Sequence, residues 1–171
     1  MNFDLSEEQQ QLADSVRKYL AGHHDFEQRK AILASPTGTS DAVWATLAEM
    51  GLTALTLPEA DGGFGGGAGD LMAVMEAFGE ALVVEPLADT VGLAGRLIAK
   101  LGSDAQRTAL LPGLIDGTRR LAFAGTEPGQ RYDLVPQGTT ARADNGGWVL
   151  NGTKCVVVGA PSEIGRASCR E

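Results

Sequence analysis

The residues best suited to bind a polar ligand follow a short apolar run at positions 121–123. The chain continues there as Ala124-Gly125-Thr126-Glu127-Pro128-Gly129-Gln130-Arg131-Tyr132-Asp133. Proline and glycine interrupt regular hydrogen bonding, so several backbone N–H groups and the Thr126 hydroxyl are left free to bind a polar group. We interpret this segment as a binding loop that follows a strand.

A glycine-rich stretch at positions 62–69 offers a second place where a ligand could bind. It contains a Gly-x-Gly-x-x-Ala pattern ahead of a predicted helix, which is typical of a dinucleotide-binding turn. However, Pro58 occupies the position of the required strand, and no Gly-Lys-Ser/Thr follows for a phosphate loop. A loop between helices is therefore favoured over a nucleotide site.

Three other side chains could in principle do chemistry. His23 and His24 stand at the end of the predicted first helix, where neighbouring side chains point in different directions and cations are favoured. Two surface histidines are therefore favoured over a general base or a metal pair. Cys155 lies in a strand-like pattern, which favours a small buried side chain over a nucleophile. We assign no catalytic residue and no metal ligand.

Composition narrows the possible partners. The chain has 171 residues, with 22 Asp and Glu against 14 Lys and Arg, for a net charge of -8. Scattered basic residues in an acidic chain argue against a nucleic-acid partner, because binding phosphates requires a cationic surface. No apolar stretch approaches the roughly 20 residues that span a bilayer, and the first residues do not resemble a signal peptide. We expect no membrane partner and a cytoplasmic location.

The first two thirds of the chain have the periodicity of helices. Ser6-Glu7-Glu8-Gln9 and Ser103-Asp104-Ala105-Gln106 are capping boxes, and Ser40 and Asp70 are further predicted caps. Helical spacing of apolar residues predicts helices that begin at each of these positions, with others over residues 25–33 and 87–101. Residues 52–58 are predicted to be extended.

Beyond about residue 121 the pattern changes to strands and tight turns. Residues 139–142, 148–150 and 154–158 are predicted strands, and Asn145-Gly146 and Asn151-Gly152 are the turns between them. The predicted fold class is α+β, with an all-α N-terminal domain at residues 1–119 followed by an incomplete middle β-domain at 120–162.

The last nine residues match neither pattern. Residues 163–171 read Glu-Ile-Gly-Arg-Ala-Ser-Cys-Arg-Glu, and they resemble the translation of a sequencing adapter. We predict a non-native tail, with an ordinary C-terminus as the alternative, and exclude it, together with Cys169, from the interpretation.

Six separated motifs occur here in the order found in acyl-CoA dehydrogenases, and the chain resembles that family over residues 1 to about 161. The motifs are Asp4-Leu5-Ser6-Glu7-Glu8-Gln9, Trp44 with Leu47-Ala48-Glu49-Met50-Gly51-Leu52, Pro58-Glu59 with Gly62-Gly63, Leu111-Pro112-Gly113, Ala124-Gly125-Thr126-Glu127-Pro128 and Leu150-Asn151-Gly152-Thr153-Lys154. Within the family, segments such as Ala81-Leu82-Val83-Val84-Glu85-Pro86 are most similar to the small subunit of pimeloyl-CoA dehydrogenase.

The resemblance implies a helical domain, a middle β-domain and a C-terminal helical domain that is not in this chain. It also implies that FAD is the cofactor and that the loop contacts its flavin ring and part of the thioester. The implied cofactor-binding residues are Phe123, Ala124, Gly125, Thr126, Glu127, Pro128, Gly129, Gln130, Arg131, Tyr132, Val156, Val157 and Val158. Val156 and Val158 replace a common Trp-x-Thr, and Tyr132 replaces a common Ser and is the implied substrate contact.

The family's chemistry removes an α-proton and a β-hydride from an acyl-CoA and yields the 2,3-enoyl-CoA. The resemblance implies that the base lies in the C-terminal domain, so this chain alone is expected to be inactive and to bind FAD weakly or not at all. Implied partners are an acyl-CoA, which could be a dicarboxylyl-CoA, other subunits of a homo- or hetero-oligomer and an electron-accepting protein. Alternatives are a non-catalytic subunit of a hetero-oligomer and a free-standing helical binding module.

Overall fold

The computed structural model describes residues 4–131, 133, 135–162, 166 and 167. The helical part comprises α1 (Glu7–His23), α2 (Phe26–Leu33), α3 (Asp41–Glu49), 3-10 turns at Leu52–Ala54 and Glu59–Asp61, α4 (Ala68–Ala81), a π-helix at Ala88–Gly95, α5 (Arg96–Leu101) and α6 (Asp104–Ile115). The strands are β1 (Ala122–Phe123), β2 (Thr140–Asp144), β3 (Gly147–Asn151) and β4 (Arg166–Ala167), with a 3-10 turn at Ala160–Ser162 before β4.

Side-chain caps determine where several helices begin. Ser6 and Ser103 each accept a hydrogen bond from the backbone N–H three residues later, and the glutamine there bonds back to the cap, as predicted. Asp25 forms the same reciprocal box at α2. Asp70 is not the cap of α4 but its third residue, since the helix begins at Ala68 and the Asp70 carboxylate accepts from the Gly67 N–H at 2.7 Å.

Trp44 anchors the core of the helical part. Its side chain is 2% exposed, its Nε1 donates to the Gly117 carbonyl at 3.0 Å, and the Arg120 guanidinium lies 5.1 Å from the ring centroid. α1 packs along α4, and apolar residues from both helices join this core. Its largest fully buried members are Trp44, Phe78, Leu20, Leu47, Leu52, Leu57, Leu87, Leu111 and Leu114.

The glycine-rich loop lies directly on the preceding segment. The Phe64 N–H bonds to Ala54 O, Gly65 N–H to Leu57 O and Gly66 N–H to Leu55 O, at 2.8–3.1 Å. Residues 52–58 are not extended, so that prediction is wrong: they form a 3-10 turn and further turns whose carbonyls face the glycines. The prediction of a loop between helices is confirmed.

The strand region consists of a hairpin and a short parallel pair. β2 and β3 are antiparallel, and Asn145 and Gly146 both have positive φ (49° and 82°), which confirms the predicted Asn-Gly turn. β1 pairs with β4 in parallel. Residues 154–158 are not a strand, and no Asn-Gly turn follows β3, because the chain leaves the hairpin and crosses to the loop after β1.

Candidate functional site

The segment predicted to bind a ligand begins where β1 ends. Gly125 packs so closely on the Phe123 ring that a Cβ at this position would overlap it, which places the Thr126-Glu127-Pro128 turn beside the strand. Gln130 closes the turn by accepting the Glu127 N–H at 2.9 Å through its side-chain oxygen and by donating its own N–H to Glu127 O at 3.1 Å. The loop therefore has a defined conformation.

The Glu127 carboxylate fixes this loop to the segment that leads into β2. Its Oε2 accepts the backbone N–H groups of Gln137 (2.8 Å) and Gly138 (2.6 Å), and its Oε1 accepts that of Thr139 (2.9 Å). The residue is only 5% exposed. A cleft of about 520 Å³ opens beside it, lined in part by Pro128 and Gly138.

Lys154 joins the two ends of this region. Its ammonium donates to Glu127 Oε1 at 2.9 Å and to the Gly125 carbonyl at 3.1 Å, and its side chain is largely buried. Removing one partner of such a pair would leave the other charge buried and uncompensated. Lys154 therefore joins the segment that follows the β2–β3 hairpin to the binding loop.

The same contacts bring the second predicted ligand-binding segment beside the first. The Cys155 N–H donates to Thr126 O at 2.9 Å, so residues 156–158 continue directly from the loop. Val156 has a positive φ of 52° and is 81% exposed, and Val158 is half exposed. The two segments are thus joined by a hydrogen bond, and Val156 and Val158 add exposed apolar side chains next to the loop. Tyr132 lies outside the described residues.

Two buried polar residues were not anticipated from the sequence. His23 is exposed as predicted, but His24 is 5% exposed and neither ring nitrogen has a hydrogen-bond partner among the described residues, so the prediction of two surface histidines is wrong. Glu85 is 4% exposed beside a cleft that also includes Val158. The only sequence signal for Glu85 was a lone acidic residue between two apolar runs.

The pKa of Glu127 lies well below the usual value of a glutamate. Hydrogen bonds from Thr139, Gly138 and Lys154 stabilise its ionised form and outweigh the effect of burial. A carboxylate in this state is a poor proton acceptor, which agrees with its assignment to the loop and not to catalysis.

This shift predicts how the loop responds to acid. Because the folded pKa is depressed, the stabilisation is present above the unfolded value of roughly 4.3 and is lost as pH falls toward the folded pKa. We expect amide-exchange protection factors of Gly138 and Thr139 to drop about tenfold or more between pH 5 and pH 3. In Glu127→Gln the drop should vanish, whereas Glu76→Gln on the exposed face of α4 should retain it. An equal drop in Glu127→Gln would contradict the assignment.

The part of the chain that the structure describes contains no cluster of three or more His, Cys, Asp or Glu side chains arranged to hold a metal ion. Nor does any helix in that part have the length and apolar character to cross a membrane.

Comparison with known proteins gives consistent results. A family model described as acyl-CoA dehydrogenase, N-terminal domain, matches residues 6–118. Acyl-CoA dehydrogenase FadE12 of Mycobacterium tuberculosis is 35% identical over 162 residues, covering 92% of this chain and 40% of that protein. The chain thus spans about two fifths of this relative's length.

Solved structures agree with this result. The Tcur3481-Tcur3483 steroid ACAD G363A variant is similar with a TM-score of 0.79 and 38% identity, covering 88% of this chain and 41% of that one. The FAD complex of PigA has a TM-score of 0.83 at 24% identity, covering 98% and 44%, and is a likeness in fold alone. The predicted α+β class, helices followed by a few strands, is confirmed, and the chain belongs to the acyl-CoA dehydrogenase family.

Proposed function

We propose that this chain is part of a flavin-dependent subunit that oxidises an acyl-CoA to its 2,3-enoyl-CoA. One observation carries the proposal: the Thr126-Glu127-Pro128 loop and residues 156–158, both assigned to the flavin by resemblance, lie side by side. Family membership supports the reaction class. Because the chain spans about two fifths of the length of these relatives, the activity is proposed for the whole protein.

FAD is the expected cofactor, and the residues present fit it. The loop offers polar backbone, and the exposed Val156 and Val158 offer the apolar surface that suits one face of a flavin ring. We assign the contact to residues 123–132 together with 156–158. When bound, FAD supplies a hydride acceptor for the β-carbon of the thioester.

The contribution of this chain is to position the ligands. Glu127 and Lys154 neutralise one another and hold the loop rigid, so no reorganisation is needed when a ligand binds. Neither side chain is free to remove the α-proton. The family resemblance implies a catalytic base in the C-terminal domain, so we propose that the base lies outside residues 1–162.

The proposed organisation follows the same domain division as the sequence interpretation. Residues 1–119 form the helical domain and 120–162 the first part of the β-domain, and the tail at 163–171 is proposed to be non-native. Trp148, Val149 and Leu150 of β3 are exposed, which supports packing of this hairpin against further protein in an oligomer. An electron-accepting protein is the proposed partner for reoxidation.

A second candidate is a non-catalytic subunit of a hetero-oligomeric dehydrogenase. Val158 supplies no hydroxyl where the family commonly offers one to the flavin, and this departure favours a supporting role. The similar Tcur3481-Tcur3483 steroid ACAD, whose name joins two proteins, supports the hetero-oligomer. An inward carboxylate in the C-terminal part of the whole protein would favour the enzyme.

The experiment begins by sequencing the source DNA beyond the Ser162 codon and expressing the full reading frame. We expect that product to be yellow with bound FAD and to be bleached by an acyl-CoA without oxygen. The 171-residue chain should carry little or no FAD. Full FAD loading of the short chain would contradict the domain requirement, and a full-length product that binds FAD but is not reduced by any acyl-CoA would favour the non-catalytic subunit.

A further inference from the structure

Two Asn-Gly dipeptides flank the exposed strand β3, and the proposed function uses neither. Asn145-Gly146 forms the turn between β2 and β3, and Asn151-Gly152 stands where β3 ends. In an Asn-Gly pair the glycine nitrogen can attack the side-chain amide of the asparagine, because glycine has no Cβ to obstruct the approach. The two pairs have the same local chemistry, so a difference in their reactivity comes from the fold.

The Asn145-Gly146 turn leaves this reaction unobstructed. Both residues are exposed, and a Cβ at Gly146 would meet nothing within 4 Å. Neither the Asn145 side chain nor the Gly146 N–H has a hydrogen-bond partner among the described residues. The attacking nitrogen and the amide that it attacks are therefore free of competing bonds.

The reaction also requires rotation about the Asn145 Cα–C bond, because the ring that forms includes this bond. Asn145 and Gly146 are held at φ values of 49° and 82° by the two-residue turn, so the turn must open first. Only the last pair of the ladder, Asp144 with Gly147, adjoins it. Local opening costs least at the free end of an element, which makes this turn the easiest part of the hairpin to open.

The ladder and close packing restrain the second pair. The Asn151 backbone pairs with Thr140, and its carbonyl accepts the Thr140 hydroxyl at 3.3 Å. Gly152 lies so close to Thr139 that a Cβ would come within 2.6 Å of the Thr139 Cα. Rotation about the Asn151 Cα–C bond would therefore break ladder contacts and push against the neighbouring strand.

The Glu127 carboxylate anchors the chain on both sides of this second pair. Its Oε1 accepts the Thr139 N–H at 2.9 Å and the Lys154 ammonium at 2.9 Å. Thr139 is the residue against which Gly152 packs, and Lys154 follows Gly152 by two positions. Asn151 therefore lies in a segment that opens only when these buried contacts are lost.

We propose that Asn145 is a site of spontaneous deamidation and that the fold protects Asn151 from the same reaction. The Gly146 nitrogen bonds to Asn145 Cγ, the bond from Cγ to the side-chain nitrogen breaks, and ammonia leaves with the proton that the Gly146 nitrogen gives up. Water then opens the cyclic imide at one of its two carbonyls, which yields aspartate or isoaspartate. The reaction needs only water and no oxidant or cofactor.

The product alters the hairpin in two ways. Either form adds a negative charge beside Asp144 in a chain whose net charge is already -8. Isoaspartate also inserts a methylene group into the backbone, which a two-residue turn cannot accommodate without a change in strand pairing. The exposed apolar side chains of β3 begin directly after this turn, at Trp148. The modification therefore changes both the charge and the shape of this surface as the protein ages.

The test follows both sites in the 171-residue chain at mildly alkaline pH. Peptide mapping by mass spectrometry measures the conversion of each asparagine, and electron-transfer fragmentation separates aspartate from isoaspartate. We expect Asn145 to convert about tenfold faster than Asn151 or more, because opening free energies rise from near zero at fraying ends toward the global value in anchored segments. In denaturing urea the two rates should become nearly equal.

A pair of lysine variants tests the protection of Asn151. Lys154→Gln removes the ammonium that bonds to Glu127 and should accelerate conversion of Asn151 severalfold, while Asn145 keeps its rate. Lys100→Gln, at an exposed lysine of α5, should leave both rates unchanged.

Three outcomes would overturn the inference. They are an Asn145 that converts no faster than Asn151 in the folded chain, a ratio of the two rates that is the same with and without urea, and an unchanged Asn151 rate in a folded Lys154→Gln variant. If Lys154→Gln does not fold, the comparison of the folded wild-type chain with the chain in urea decides alone.

Discussion

Replacing Trp44 with alanine is expected to lower the free energy of unfolding by about 3–5 kcal/mol, the range for deleting a large buried aromatic side chain. The indole fills the core next to Leu47 and donates to the Gly117 carbonyl, so the variant loses both its packing and this hydrogen bond. A domain typically has about 5–15 kcal/mol of stability in total, so this single substitution should remove a large fraction of the stability of the helical part.

The second tryptophan provides a matched control. Trp148 on β3 is 71% exposed, and Trp148→Ala should change the unfolding midpoint of the helical signal very little. Trp44→Phe should fall between the two alanine variants, since it keeps most of the volume but cannot donate to Gly117. Urea unfolding followed by helical circular dichroism measures all three. Equal midpoints for the two alanine variants would disprove the anchoring role.

Gly63→Ala, which adds a single methyl group, is expected to lower the free energy of unfolding by roughly 2–3 kcal/mol. A Cβ at this position would overlap the Leu57 backbone carbonyl, which cannot move without disturbing the hydrogen bond that Leu57 O accepts from the Gly65 N–H. The cause is steric, since the loop passes directly over residues 54–58. This result would show that close packing of the loop accounts for its glycines and that no bound nucleotide is needed to explain them.

Gly22 tests the same change where space is open. It lies near the end of α1, and a Cβ there meets nothing within 4 Å, so Gly22→Ala should be neutral or stabilise the protein by about 0.5–1 kcal/mol. Both variants are compared by thermal unfolding with and without a dinucleotide. If the dinucleotide raised the melting temperature of wild type but not of Gly63→Ala, the loop would be a binding site and the packing explanation would fail.

Local signals predicted the helices well. Reciprocal caps at Ser6 and Ser103 depend on residues three positions apart, so they can be identified from the sequence. Residues 52–58 were assigned wrongly because a short apolar run has no diagnostic period, and contacts with the glycine loop decide its conformation.

The candidate site was only partly predictable. Pro128 and Gly129 indicate an irregular loop directly, and the family motif assigns Thr126 and Glu127 to that loop. The hydrogen bonds from Lys154 to Gly125 and Glu127 join residues that are distant in sequence, so no local pattern reveals them. The strand propensity of residues 154–158 was overridden by the same long-range contacts. The burial of His24 and Glu85 likewise depends on tertiary packing.

The ion pair between Lys154 and Glu127 cannot form until Lys154 has been synthesised, which sets an order for folding on the ribosome. Lys154 follows Glu127 by 27 residues, so at roughly 5–20 residues per second the carboxylate waits about 1–5 s for its partner. The helical part lies entirely before Glu127 in the chain, so it can fold while Lys154 has still to be added. We therefore expect the helical part to be folded before the binding loop acquires its hydrogen bonds to Lys154. During that interval the loop should be most accessible to chaperones and proteases.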